Sequence, residues 1–238
     1  MVNYPWYAWL LVLIGVVGLP ALTAVGLYRV GLRAGAVVFA LVWSVWIVTS
    51  ALLAEGGAYR QLPDASRPWI GVAAGGAVAA LMAAAGIPAV RGAFANPGNL
   101  AALTWPQSLR VVGAVFLIAM ALGGLPAAFA LPAGLGDVAV GIGAVFVARR
   151  LTRGDRSGAS WFNVLGLFDL VLAVSLGFLA GLGPSQVLLV SPSTADIGLL
   201  PLALIPTTAV PLAVALHLTS LARLRRPSVR PDPAVPRC

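Results

Sequence analysis

Five polar side chains interrupt the long hydrophobic runs of this chain: Arg110, Asp137, Asn163, Asp169 and His217. Asp169 is the plainest case, since it sits in the middle of "WFNVLGLFDLVLAVSLGFLAG", residues 161–181. An ionisable group within a membrane span costs at least about 2.5–3.5 kcal/mol on insertion scales, so it tends to face inward and to find partners. A carboxyl group placed there can bind and release a proton, act as a counter-ion, or serve as a general acid. Its bland role is to glue helices together through hydrogen bonds. Asp137 follows "PAGLG", which reads as a broken or late helix start, and its plain role is likewise structural. Arg110 and His217 fall near predicted span ends. Their plain roles are a basic anchor and a snorkelling interface residue. Asn163 precedes Asp169 by six residues, which sets the two roughly 240° apart on a helix. Trp43 and Trp46 lie three residues apart in mid-span, either as packed or lipid-facing rings or as an aromatic wall for a ligand.

Other chemistries are excluded by composition. All fifteen basic residues are Arg. With no Lys there is no Schiff-base amine and no phosphate-loop Lys. The one Cys, Cys238, forms no internal disulfide, and the one His builds no His-rich zinc site. No Gly-x-Ser-x-Gly presents a nucleophile. No metal and no cofactor are expected.

The elements that carry these residues are apolar throughout. Of 238 residues, 60% are hydrophobic and 9% charged. A soluble domain is about 25% charged. The fold class is therefore an all-α polytopic transmembrane bundle. Seven spans are predicted at about 6–28, 34–54, 69–90, 109–126, 129–148, 160–181 and 197–221, each holding enough apolar residues to cross the hydrocarbon core. The first follows "MVNYP", lacks a basic leader and reads as a retained span. With the N-terminus outside, only Arg60 and Arg67 lie outside. The other arginines, Arg110 among them, gather on the cytoplasmic side. That asymmetry is the positive-inside pattern, and it argues for seven spans with a cytoplasmic C-terminus. The charge of +8 then belongs to topology and to anionic headgroups of the bilayer, not to nucleic acid. Residues 1–224 form one bundle. Residues 225–238 form a basic, Pro-rich tail expected to be disordered.

Helix three, "GVAAGGAVAALMAAAG", carries Gly71-x-x-x-Gly75, and its small residues predict a central position. Helix seven contains Pro201, Pro206 and Pro211, which predict kinks. Thr207 and Thr208 are placed to satisfy carbonyls freed near Pro206. Ser193 and Asp196 have the spacing of a capping box, so Asp196 reads as a cap. "SQVLLV" is too short to span. Residues 133–148 and 165–180 align with Asp137 opposite Asp169, a weak inverted repeat of the kind found in transporters.

"PQSLRVVG", "LPAGLGD", "WFNVLGLFDL" and "LIPTTAVPLAVALH" resemble a group of uncharacterised bacterial multi-pass membrane proteins, over residues 106–224. The resemblance implies a bacterial cytoplasmic membrane location. It marks Gln107, Arg110, Asp137, Asn163, Asp169, Pro206, Pro211 and His217, and it implies no activity. Three functions follow as expectations. The first is binding or transport of a small solute or proton through the interior polar cluster. The second is an intramembrane enzyme acting on a lipid or isoprenoid. The third is a non-catalytic subunit packed against a membrane-protein partner.

Overall fold

The computed structural model describes residues 3–64, 68–95, 97–184 and 186–225. Every regular element among them is helical. Seven helices are long and apolar enough to cross a membrane. They are α1 (Trp6–Arg29), α2 (Arg33–Glu55), α3 (Trp69–Gly86), α4 (Ala101–Ala121), α5 (Ala127–Thr152), α6 (Ala159–Leu179) and α7 (Ile205–Leu224). The tail from residue 226, with Cys238, lies outside the described residues, so the expectation of disorder there is not addressed.

The helix ends follow local chemistry. Pro5 and Pro126 stand in extended backbone just before α1 and α5, where a missing N–H costs nothing. Gly123 (φ 77°) closes α4 and Gly158 (φ 78°) opens α6, both in the left-handed region that favours glycine. Asp155 organises the turn between α5 and α6. It accepts hydrogen bonds from the Ser157 hydroxyl (2.5 Å), the Ser157 N–H (2.8 Å) and Arg150 Nε (2.7 Å). Those bonds, the Ser157 hydroxyl first, lower its carboxyl pKa to about 2.

Several features differ from the sequence reading. Helix α4 begins at Ala101, not 109, so Arg110 lies in mid-span. The polar "TWPQSLR" had disguised this start. Helix α5 runs unbroken through Pro132, and Asp137 is interior to it, not at a late start. Helix α7 begins at Ile205, not 197. Pro201 therefore stands in the preceding turns, and His217 is in mid-helix rather than at its end. Asp196 caps nothing. Its carboxylate accepts the Tyr4 hydroxyl at 3.1 Å, while the Ser193 hydroxyl accepts the Ala195 N–H at 3.3 Å. That acceptor and burial together push the Tyr4 phenol far above its ordinary value, with burial the larger cause.

Helices α1, α4, α5 and α7 build the centre. One apolar cluster joins Val12 and Val16 to Val115, Phe116, Phe129 and Leu202. A second joins Leu19 to Leu100, Leu103, Leu151, Leu212 and Leu216. In α4 and α5 the charged residues fall between the two clusters. Helix α3 is not central. Only Ala73 and Ala77 of its 18 residues are buried, against eleven of 20 in α7, and nothing lies within 4 Å of a Cβ built on Gly71, Gly75 or Gly76. Small residues permit close approach but do not compel it. One glycine that does mediate close approach is Gly141 of α5. A Cβ there would stand 2.6 Å from the Val111 backbone nitrogen and 3.1 Å from the Ser108 carbonyl oxygen of α4.

Two outcomes are expected. Gly141→Val should cost about 1–3 kcal/mol by overpacking, whereas Gly75→Ala should stay within about 0.5 kcal/mol of the parent. Thermal unfolding in detergent, followed by the monodisperse fraction, separates them. The Asp155 bonds should contribute fully above the ordinary carboxyl value of 3.8 and be lost as pH falls through about 2. Hydrogen exchange at the Ser157 amide reads that loss.

Candidate functional site

A long run of 3-10 helix sets the geometry of the site. Trp105–Ala114 of α4 is wound this way for ten residues, although such runs rarely exceed three or four. Side chains three apart eclipse in a 3-10 helix. Gln107, Arg110 and Gly113 therefore form one column, and all three are buried. The column faces α5, α6 and α7.

Arg110 is 5% exposed, and every nitrogen of its guanidinium is engaged. Nε donates to Asp137 Oδ1 of α5 at 2.7 Å. Nη2 donates to Asp169 Oδ2 of α6 in a short ion pair. Nη1 donates to the Gly166 carbonyl at 3.3 Å and lies 3.3 Å from His217 Nε2. The two acids of the weak repeat thus converge on one cation.

His217 is fully buried. Its state follows from its neighbours. The Asn163 amide nitrogen donates to the Ala159 carbonyl (2.7 Å) and the Ser220 hydroxyl (3.1 Å), so its oxygen faces His217 Nδ1 at 2.8 Å. An acceptor at Nδ1 requires Nδ1–H. A guanidinium N–H at Nε2 requires a lone pair there. His217 is therefore a neutral imidazole in the Nδ1–H tautomer. Asn163 and Asp169 of α6 both reach this network, joined through His217 and Arg110. The plain readings of Arg110 as an anchor and His217 as a snorkelling residue are both overturned by burial. They arose because α4 starts earlier, and α7 ends later, than the hydropathy pattern implies.

Three glycines give this network its space. A Cβ on Gly113 would strike the Asp137 carboxyl, one on Gly136 the Asp169 carboxyl, and one on Gly166 the His217 ring. Each functional side chain thus rests against the bare backbone of a neighbouring helix. Sequence reasoning missed these glycines. Their only signal was proximity to the charged residues, in a chain with 27 glycines.

A small cavity of about 40 Å³ adjoins the network. Val12, Gly15 and Val16 of α1 wall it, with Ala213 of α7, Arg110 and Asp137. Asp169 is not part of its wall. One water needs roughly 10–15 Å³ by this measure, so there is room for a few waters and for no metabolite.

Near Pro206 the first turn of α7, Ile205–Ala209, is a π-helix. Thr207 and Thr208 do satisfy nearby carbonyls, those of Ala203 (2.7 Å) and Leu204 (2.5 Å). Pro211 has no N–H for the Thr207 carbonyl four residues earlier. The Trp46 indole donates to it instead, at 2.9 Å. Ser50 adds a 2.6 Å bond to the Thr207 hydroxyl. The two tryptophans therefore form no common wall: Trp46 is committed to α7, and Trp43 stacks on Phe39 at 5.8 Å.

Compared with known proteins, residues 67–225 match the family model described as "Domain of unknown function (DUF8737)". No curated protein and no solved structure gives a significant match. The matched segment contains α3 to α7 and every member of the Arg110 network.

Because the chain has a single histidine, nitrogen NMR on histidine-labelled protein reads this site directly. A protonated Nδ1 and an unprotonated Nε2 are expected, and the opposite tautomer would contradict the assignment. Arg110→Ala leaves two largely buried carboxylates, 16% and 12% exposed, uncompensated and should destabilise by up to about 3–5 kcal/mol. Adding Asp137→Asn and Asp169→Asn should recover much of that loss in the same thermal assay.

Proposed function

The chain belongs to the DUF8737 family, and from the polar network inside the matched segment we propose that it binds and exchanges a proton within the membrane. Charge counting supports this reading. Arg110 contributes one positive charge, two carboxylates contribute two negative ones, and a neutral His217 contributes none. A net negative charge deep in a bundle is costly unless a cation joins it. A proton is the cation assigned here, because the adjoining cavity is too small for a metabolite and no group of three or more metal-ligating side chains occurs among the described residues.

The observation that carries the proposal is one guanidinium shared by two carboxylates, only one of which borders that cavity. Asp137 is then the group that exchanges with water. Asp169 and Arg110 hold its charge in balance, and His217, kept neutral by Asn163, fixes the guanidinium. Repeated exchange towards opposite sides of the membrane would make the chain a proton carrier or a proton-coupled carrier of a small solute. The enzyme reading is less favoured, since Asp169 is tied to Arg110 and absent from the cavity wall. With Arg110 now interior, twelve of the other fourteen arginines still fall on the side of the C-terminus. This supports a cytoplasmic C-terminus in a bacterial cell membrane.

The test uses proteoliposomes loaded with a pH-sensitive dye. Wild-type protein should pass protons above the level of empty liposomes. Asp137→Asn and Asp169→Asn should both fall to that background. Infrared difference spectra should show a protonated-carboxyl band in the wild type that Asp137→Asn removes. Background flux in all three, with no such band, would defeat the proposal.

A further inference from the structure

Each acid of the Arg110 network gives one oxygen to the guanidinium, Asp137 its Oδ1 and Asp169 its Oδ2. The second oxygen of Asp169 accepts no hydrogen bond among the described residues. It does not face the small cavity, whose wall includes Asp137 and leaves out Asp169. Asp169 Oδ1 instead fills the place that a side chain on Gly136 of α5 would take. Residues three or four apart share a helix flank. Asp169 stands one turn from the exposed Leu165 in α6, and Gly136 one turn from the exposed Ala139 in α5. The Asp169 side chain keeps 12% of its surface open. That opening belongs to the outer seam between α5 and α6.

The depth of the seam restricts what can reach it. Asp169 is ten residues from Ala159 and ten from Leu179 in α6, about 15 Å from either end. Acyl chains, not water, face a bundle at that level. A bare proton has no route through hydrocarbon, so whatever meets Oδ1 must dissolve in lipid. Charge restricts it further. The charged and titratable groups around Asp169 are Arg110 of α4, Asp137 of α5 and, beyond the guanidinium, the neutral His217 of α7. Together with Asp169 they leave one surplus negative charge, which calls for a cation. The free oxygen calls for a hydrogen-bond donor, and a charged donor bonds most strongly. A protonated amine on an apolar body supplies charge, donor and lipid solubility together.

We propose that Asp169 binds a hydrophobic ammonium ion, which enters laterally between α5 and α6 and donates an N–H to Oδ1. This rests on the charge count of the proton reading and names the solute. The surplus charge takes one cation, either a proton at Asp137 from the cavity or an amine at Asp169 from the bilayer. The two exchange across Arg110.

Retention of tritiated 1-naphthylmethylamine by the full chain in nanodiscs, against empty nanodiscs, tests the site. Wild-type protein should show one saturable site for which the neutral 1-naphthylmethanol does not compete. Asp169→Asn should weaken binding by about tenfold or more. Ala139→Trp covers the seam from an exposed position. It should also weaken binding, with thermal unfolding and proton flux unchanged. Uptake no greater than that of empty nanodiscs, from protein that passes protons in liposomes, would overturn the amine site and leave the proton reading standing. Undiminished binding in Asp169→Asn, or equal competition by the alcohol, would overturn it too. Saturable binding that depends on Asp169, with proton flux at background, would uphold the site and defeat proton transport instead.

Discussion

The structure depends on the buried positive charge of Arg110. In lipid, helices gain little by hiding apolar surface from one another, so small residues and polar contacts decide which faces meet. The Arg110 guanidinium has donors in several directions and satisfies them on three helices besides its own. Helices α5, α6 and α7 are thus held to α4 at one depth. The apolar clusters on either side then complete the packing. Moving either carboxylate leaves an unmatched charge, and this makes the arrangement specific as well as cohesive.

The glycines are the steric counterpart of that electrostatic constraint. A charged network in the interior needs short bonds, and short bonds need backbones without side chains between them. Gly113, Gly136 and Gly166 meet this need at the three points where a carboxyl group or an imidazole abuts the next helix. The glycines of α3 have no such role, although they are more conspicuous in sequence. A glycine in a span therefore signals close approach only when something across the gap requires it.

This contrast explains what the sequence made legible. Hydropathy alone located seven apolar helices, because span length is set by the bilayer and not by neighbours. The depth of Asp169 could be read from its place within its span. The ends of α4 and α7 could not. Polar residues inside α4 lower its hydropathy, and turns around Pro201 extend the apolar run before α7. Arg110 and His217 consequently looked peripheral, when each is an interior residue. Their meeting with Asp137 and Asp169 is a tertiary fact that no single-helix pattern contains. The role of Trp46 was half visible: Pro211 announces an orphaned carbonyl, but nothing in α2 says which donor will reach it.

One feature of α4 has a mechanical side. Its 3-10 stretch advances about 2.0 Å per residue with 120° between neighbours, against about 1.5 Å and 100° in an α-helix. Rewinding ten such residues to α-helix would shorten the segment by about 5 Å and swing Arg110 by about 60° relative to Gln107. The pitch of this one segment therefore sets where the guanidinium stands relative to its two acids.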